Sequence, residues 1–392
     1  MTRRGFFITL ITLLALAVSV ASATTASGST KRASATTLTG AGATFPQPLI
    51  TAWIPAYQSA SGNTVNYAGL GSGAGIAQIT NRLVDFGASD APMSASQQTA
   101  CNGCMQFPWA FSGTSIAYNG TGLSSKLHIT GSVLADIYLG KITKWNDPAL
   151  VALNPKASLP DKQITPIWRS DSSGTSYNFT DYLSAVSPEF KTKIGVGTQP
   201  AFTVGVGASK SSGVAAKLGT TDGGITYVDV AYALANHFAM FAVKNRAGTF
   251  TTPGLRNIQS TANLTATATP DSGYLLMSVV DPPAIYKKVP KIVVPKTTNK
   301  KKRAASIAKQ VKNRKKIIAQ NNRLAIAYPI CTFTYVIVPK QAKHADALKN
   351  FLNWVYSDGQ KPEFQTPLRF VALPTAVKTA SLGLVTQITQ AP

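Results

Sequence analysis

Short apolar segments alternate with amphipathic segments along most of the chain. Positions 46–60 carry Leu49, Trp53 and Tyr57 at helical spacing, and 345–356 carry Leu348 and Phe351 in the same way. Compact apolar runs between turn residues predict strands at 36–38, 64–67, 85–89, 115–118, 164–169, 224–228 and 330–338. Helical patterns follow several of these strands, so the sequence predicts an α/β fold.

The N-terminal segment has the pattern of an export signal. Arg3 and Arg4 precede an apolar run from about 6 to 23 that ends in the small-residue pattern Ala21-Ser22-Ala23. We predict a signal peptide over 1–23, with a membrane anchor as the alternative because the run is near the lower length limit for spanning. The Ser/Thr/Ala-rich residues 24–36 predict a flexible spacer. The protein is therefore expected to be exported, and to act in the periplasm or at the cell surface or outside the cell.

Cysteine and histidine usage gives no metal-site spacing. Cys101 and Cys104 could form a redox pair, half of a zinc knuckle or a disulfide. No second cysteine or histidine pair completes a zinc site, and export favours oxidation, so a local disulfide is predicted. No metal or cofactor is predicted, and Cys331 is expected to be a buried apolar side chain.

The charge is concentrated in one tract. The chain has a formal net charge of +23, of which 14 Lys and Arg lie between 287 and 323 without any acid, leaving +9 elsewhere. This basic insertion is either solvated or in contact with anionic cell-envelope polymer or lipid headgroups. Nucleic acid is not an expected partner, since no aromatic interleaving or known module accompanies the charge.

Three loops rich in Gly, Ser and Thr precede helical segments, at 40–46, 69–75 and 169–176. A helix N-terminus has unpaired N–H donors, and small side chains let an anion approach them. Arg169 could contact an oxyanion through two donors, with Asp171 orienting it. Taken alone, this loop could equally be a helix cap with a surface ion pair. The dinucleotide pattern at 69–74 is weak, and the Walker spacing is missing from the sequence.

Several longer motifs are shared with one family. These motifs lie at 38–46, 62–67, 69–72, 84–92, 106–108, 136–146, 169–176, 224–228, 348–356 and 371–374. Through them the chain, over most of the stretch from Leu38 to Pro374, resembles the substrate-binding protein of the bacterial phosphate ABC transporter.

The resemblance implies an α/β, two-lobed periplasmic-binding-protein fold of class II, with phosphate in the hinge cleft between the lobes. The phosphate-binding residues that it implies are Thr44, Phe45 (through its backbone amide), Ser72, Asp90, Arg169, Ser173, Gly174 and Thr175. Asp171 is expected to hold Arg169, and Asp90 is expected to accept the proton of phosphate. A carboxylate accepts hydrogen bonds only, so sulfate, which has no proton to give, would be rejected.

The expected organisation follows from these assignments. We expect lobe I over 37–112, lobe II over 113–250, an irregular segment over 251–325 that holds the basic insertion 287–323, and a return to lobe I over 326–390. The expected function is capture of inorganic phosphate and its delivery to a membrane permease, without enzymatic activity. The alternatives are an exported phosphatase-like enzyme that uses the same anion cradle, and a surface adhesin that acts through the basic tract.

Overall fold

The computed structural model describes residues 35–264 and 289–392. The predicted signal peptide and most of the spacer lie outside the described residues, as do 265–288. The described strands are β1 (Thr37–Gly42), β2 (Thr64–Gly69), β3 (Phe86–Ser89), β4 (Cys104–Asn119), β5 (His128–Ile129), β6 (Thr165–Arg169), β7 (Val206–Ala208), β8 (Gly224–Asp229), β9 (Ala239–Met240), β10 (Ala242–Lys244), β11 (Phe250–Thr251), β12 (Cys331–Pro339), β13 (Gln341–Ala342) and β14 (Thr389–Gln390).

Helices follow most of these strands. They are α1 (Gln47–Ser61), α2 (Ser72–Thr80), α3 (Ala95–Ala100), α4 (Gly131–Tyr138), α5 (Pro148–Leu153), α6 (Gly174–Val186), α7 (Pro188–Lys193), α8 (Lys210–Gly219), α9 (Val230–Ala235), α10 (Leu255–Leu264), α11 (Lys300–Ile326), α12 (Ala345–Tyr356), α13 (Pro362–Gln365) and α14 (Thr375–Val385), with a 3₁₀ turn at Asp358–Gln360. None of the helices within the two described ranges has the length and apolar character needed to span a membrane.

One large mixed sheet organises the molecule. Its strands follow the order β2-β1-β3-β12-β4-β8-β6-β7, and β9 also pairs with β4. β1 lies parallel to β2 and β3, and β6 lies parallel to β7 and β8. Parallel neighbours need helical crossovers, which explains the strand–helix alternation read from the sequence.

The long strand β4 joins the two halves of this sheet. Its first part, Cys104–Gly113, pairs antiparallel with β12, and its second part, Thr114–Asn119, pairs antiparallel with β8. The lobe boundary expected at 112/113 therefore falls inside a continuous strand that serves both halves.

Buried aromatic side chains fill the space between the sheet and the helices. Trp53 and Trp109 pack edge to face in one half, with ring centroids 5.6 Å apart. In the other half Phe179 stacks on Tyr227 at 4.2 Å, and Tyr138 packs edge to face on Phe179 at 4.8 Å. Such contacts contribute about 0.5–1.5 kcal/mol each beyond their buried area, and they fix the strands whose ends carry polar side chains.

The described part of the basic insertion consists of two consecutive segments with different structures. Residues 289–299 have no regular structure apart from bends and are almost entirely exposed, while α11 forms a 27-residue helix whose Asn299 cap accepts from the Lys302 amide. Leu324 is the buried side chain of this helix. Near its C-terminal end, the Ser260 hydroxyl of α10 donates to the Arg323 carbonyl at 2.9 Å.

The cysteines lie where the sequence predicts. Cys101 and Cys104 form a disulfide at the start of β4. Cys331 is buried in β12, and its thiol donates to the Tyr328 carbonyl at 3.5 Å.

Candidate functional site

Four helix N-termini meet between the two halves of the sheet. α1, α2, α6 and α8 each begin within a few residues of the end of a strand, respectively β1, β2, β6 and β7. The Ser72 hydroxyl at the start of α2 accepts from the Gly174 amide at 3.0 Å, which ties it to α6. The Ser211 amide in the first turn of α8 donates to Thr44 Oγ1 at 3.3 Å, just before α1. The unpaired N–H groups and positive dipole ends of these helices favour an anion here.

Arg169 is held rigidly at the end of β6 and is 3% exposed. Its Nε and Nη2 atoms donate to the two carboxylate oxygens of Asp171, and its Nη1 atom donates to Thr44 Oγ1 at 3.2 Å. Its backbone amide donates to the Tyr227 hydroxyl at 3.0 Å. The guanidinium therefore has a fixed orientation.

Asp171 is the ionised partner of this arginine. Burial by itself would raise the pKa of Asp171, but the hydrogen bonds and charge of Arg169 outweigh burial and hold the pKa below its ordinary value. The Lys210 amide donates to Asp171 Oδ1 at 2.9 Å and so attaches the pair to α8. Asp171 therefore balances the charge of Arg169 and fixes the orientation of its guanidinium group.

Asp90 follows β3 and is also buried, at 2% exposure. Its amide donates to Ser72 Oγ at 3.2 Å, while its Oδ1 atom has no hydrogen-bond partner among the described residues. Burial raises the pKa of Asp90 to about 7, against the lowering effects of a hydrogen bond from Thr334 and the charge of Arg169. Asp90 therefore changes its protonation state near neutral pH.

The third loop brings its groups close to Asp90. Ser173 caps α6 by accepting from the Ser176 amide at 3.2 Å. A Cβ atom on Gly174 would lie 2.6 Å from the Asp90 Cβ and 2.7 Å from Ser72 Oγ, so glycine is required there. The buried Thr175 Oγ1 has no hydrogen-bond partner within 35–264 or 289–392.

Thr44 and Phe45 complete the set from the first loop. Thr44 Oγ1 lies 2.7 Å from Ser211 Oγ and is buried. The Phe45 ring is buried and packs edge to face against Phe370, with the ring centroids 5.8 Å apart. All nine residues expected from the sequence, including Asp171, lie in one cluster, linked by the contacts described above or adjacent in the chain to residues that make them.

The structure adds residues that the sequence analysis missed: Ser211, Asp229, Tyr227 and Thr334. Ser211 lies in the Ser/Gly-rich stretch 209–213, which includes the first turn of α8, and the other three loops carry a similar composition next to a helix start. Asp229 comes directly after the motif at 224–228 and is the last residue of β8. Nothing in the sequence around Thr334 marks it, since it lies within the strongly apolar strand β12.

Comparison with known proteins identifies the family of this chain. The family model described as the PBP superfamily domain matches residues 24–359. The phosphate-binding protein PstS of Xylella fastidiosa (strain Temecula1) is 37% identical over 341 residues, covering 86% of this chain and 81% of that protein. The phosphate-binding protein PstS of Haemophilus influenzae is 34% identical over 350 residues, covering 88% and 91% respectively. The chain belongs to the PBP superfamily and, within it, to the PstS family.

A solved structure shows the same fold. The phosphate-binding protein of Stenotrophomonas maltophilia superposes with a TM-score of 0.60 at 21% identity, covering 89% of this chain and 94% of that one. The α/β architecture with two lobes, expected from the resemblance, is thereby confirmed. The named relatives are binding proteins rather than enzymes.

Proposed function

We propose that this protein captures inorganic phosphate outside the cytoplasm and delivers it to the membrane permease of an ABC transporter. The nine clustered residues would form the phosphate site, and no bond in the ligand would be made or broken. The PstS names of the relatives support this assignment. We further propose that the lobes follow the expected bounds 37–112, 113–250 and 326–390.

The proposal rests on one observation: the buried carboxyl group of Asp90 lies in a cluster whose other polar groups can donate hydrogen bonds. Arg169, the Thr44 and Thr175 hydroxyls and the helix amides can all donate to a tetrahedral oxyanion, whereas ionised Asp90 can only accept. Hydrogen phosphate has a proton to give to Asp90 Oδ1, and sulfate has none. A buried acceptor facing a second acceptor costs several kcal/mol, which is roughly a thousandfold in affinity.

Replacing Asp90 by Asn tests this role. An amide can donate to sulfate and can still accept from phosphate, so we expect D90N to bind sulfate at least about a hundredfold more tightly than the wild type does. Calorimetric titrations of both proteins with phosphate, sulfate and arsenate measure the change.

The matched control is D346N, which removes a carboxylate that is 92% exposed on α12. It should leave all three titrations unchanged. Continued exclusion of sulfate by a folded D90N protein would contradict the assigned role of Asp90. A wild-type protein that fails to bind phosphate would overturn the function itself.

The phosphatase-like alternative has a direct test. Turnover of a chromogenic phosphate ester by the purified protein, abolished in an Arg169→Ala variant, would favour an enzyme. The proposed receptor releases no chromophore.

We also propose that α11 contacts an anionic polymer of the cell envelope. The helix carries ten Lys and Arg and no acid. The exposed fraction of most of these side chains is high, and just one side chain of the helix is buried. A surface-inserting helix needs a continuous apolar face, so the composition favours a soluble polyanion over a lipid surface. An adhesin-like role of this tract would add to phosphate capture rather than replace it.

A further inference from the structure

A direct backbone hydrogen bond joins two loops on opposite sides of the proposed site. The amide of Gly73, in the first turn of α2, donates to the Ser172 carbonyl at 3.1 Å. Helix α2 follows β2 in one half of the sheet, whereas Ser172 follows β6 in the other half. Neither residue is among the nine expected from the sequence. The contact therefore links the two proposed lobes through groups that are not assigned to the ligand.

The Gly73 amide is one of the donors that a helix N-terminus leaves without a partner inside the helix. Such a donor can bind either an anion or an acceptor elsewhere in the protein. Here the Ser172 carbonyl accepts from it. This donor therefore helps to join the lobes instead of holding an oxyanion.

The two loops approach so closely that side chains are excluded at two positions. A Cβ atom on Gly73 would lie 2.3 Å from Ser172 Oγ and 2.4 Å from Ser172 Cβ. A Cβ atom on Gly71, which has a φ of 98°, would lie 2.6 Å from Asp171 Oδ2 and 3.0 Å from the Ser172 carbonyl oxygen. These separations are well below the contact distance of about 3.5–4.0 Å between carbon atoms. Glycine at both positions is what lets the backbones meet.

Ser172 is held in place from its own side of the cleft. Its hydroxyl donates to Thr198 Oγ1 at 3.0 Å, and the amide of the next residue, Ser173, donates to the Thr198 carbonyl at 2.9 Å. Thr198 lies between α7 and β7 in the same half of the sheet. The carbonyl that accepts from Gly73 therefore belongs to a loop fixed at two points, and it cannot easily move aside.

This contact sets the separation of groups that we assign to phosphate. Ser72, a proposed ligand residue, directly precedes Gly73. Asp171, which orients Arg169 through its carboxylate, directly precedes Ser172. A change in the distance between Gly73 and Ser172 therefore changes the distance between the binding groups of the two lobes.

We propose that Gly73 and Ser172 are positioning residues that form a latch between the lobes, and that this latch slows the release of phosphate. This inference rests on the proposed phosphate-binding function. The contact forms only where the two loops meet, so an anion that enters an open cleft does not need it. An anion that leaves a closed cleft must first wait for the contact to break. The latch should therefore act on the release rate much more than on the association rate.

The experiment places a methyl group inside the latch with Gly73→Ala. Radiolabelled phosphate bound to the purified protein is chased with unlabelled phosphate and followed by rapid filtration, which gives the release rate. Equilibrium dialysis gives Kd, and the association rate constant follows from the two. We expect the release rate and Kd to rise at least about tenfold, because a tight contact tolerates an added methyl poorly. The association rate constant should change by less than about threefold.

Two double variants test whether a clash with Ser172 is the cause. In G73A/S172G both atoms nearest to the added methyl are absent, and the next nearest, the Ser172 carbonyl oxygen, would lie 3.7 Å away. G73A/S172A loses the same hydroxyl but keeps the Cβ atom. We expect release from G73A/S172G to be within about threefold of release from S172G, whereas G73A/S172A should release phosphate about tenfold faster than S172A.

Gly213→Ala is the matched control, because it makes the same change in the first turn of α8, which also begins at the cluster. The nearest described atoms to the added Cβ, in Ala208, would lie 3.9 Å away, so release rate and Kd should not change. Thr198→Val removes the acceptor of the Ser172 hydroxyl without adding volume across the cleft. It should raise the release rate at least about threefold, and it supplies this measurement if G73A does not fold.

A release rate that stays at the wild-type value, or a higher Kd caused only by slower association, would overturn the latch while leaving phosphate binding intact. Equal behaviour of the two double variants would also overturn it, because the methyl would then meet something other than the Ser172 Cβ. Failure of both G73A and G73A/S172G to fold would lead to the same conclusion. Absence of phosphate binding by the wild type would overturn both this inference and the proposed function.

Discussion

At the scale of single residues, we expect the protonation of Asp90 to decide which oxyanions the proposed site binds. The pKa of Asp90, raised to about 7 by burial, means that its carboxyl carries a proton in acid and accepts hydrogen bonds in base. Below pH 7 the protonated group can donate to an oxyanion that has no proton. Above pH 7 it offers only lone pairs, and we expect it to reject an oxyanion that has no proton.

Sulfate competition is therefore expected to depend on pH. We expect sulfate to displace phosphate at least about tenfold more effectively at pH 5.5 than at pH 8.5, because one linked proton changes affinity by up to about tenfold per pH unit. Competition titrations at fixed ionic strength measure this ratio.

In D90N, sulfate should displace phosphate about equally well at pH 5.5 and at pH 8.5, once the ionisation of phosphate is taken into account. A wild-type ratio that shows no pH dependence would contradict the role of the Asp90 proton.

At the scale of elements, the site depends on how closely helices α2 and α6 approach each other. Ser72 Oγ accepts from both the Asp90 and the Gly174 amides, so one hydroxyl joins the loop after β3 to the start of α6. The lack of a side chain at Gly174 permits this approach, because any Cβ atom would overlap with Asp90 and Ser72.

Gly174→Ala should separate these elements. The added methyl would meet backbone and Cβ atoms at 2.6–2.7 Å that cannot move independently, so we expect about 1–3 kcal/mol of destabilisation. Phosphate affinity should fall about a hundredfold or more, since displacements of about an ångström disrupt a site of fixed donors. Denaturant unfolding and calorimetry measure the two effects.

Gly383→Ala is the matched control in α14, where a Cβ atom would meet nothing within 4 Å. This substitution should stabilise the protein by about 0.5–1 kcal/mol and leave binding unchanged. Unaltered phosphate affinity in Gly174→Ala would show that the close approach of α2 and α6 is not needed.

At the scale of the whole molecule, one sheet brings distant parts of the chain to the same site. Thr44 and Asp90 follow strands of one half, whereas Arg169 and Asp229 end strands of the other half, and β4 runs through both. A ligand that contacts both sets of residues favours the arrangement in which they are close. The basic helix α11 belongs to neither set.

Removing charge from α11 should therefore weaken binding to an anionic polymer without changing phosphate binding. Replacing the exposed Lys301, Lys309, Lys312 and Lys316 by Gln should weaken retention on a poly(glycerol phosphate) resin, with a smaller dependence on salt. Phosphate affinity should stay within about twofold, because none of these side chains contacts the cluster.

The control replaces four exposed lysines elsewhere, Lys126, Lys156, Lys191 and Lys217. Equal loss of retention in this control would mean that net charge rather than α11 binds the polymer. Retention on anionic lipid vesicles but not on the resin would contradict the choice of partner.

Local sequence was sufficient for much of the fold and of the site. The seven predicted strands and the helices predicted at 46–60 and 345–356 all overlap observed elements, because apolar spacing is a local property of the chain. The Arg169–Asp171 pair was also predictable, since the two charged residues are only two positions apart in the chain. Helix α11 begins at Lys300, directly after the Asn299 cap, because lysine is a good helix former.

The sequence by itself determined the glycine-rich turns, the helix starts and the residue types that bind an oxyanion, because these depend on neighbouring residues. Only the tertiary structure decided that Ser211, Asp229 and Thr334 lie with them, since they come from segments far apart in the chain. It also raised the pKa values of Asp90 and Asp229, because these depend first on burial and then on nearby charges. Local sequence therefore set the residue types of the site, whereas the packing of the whole sheet set the burial and the pKa values of its acids.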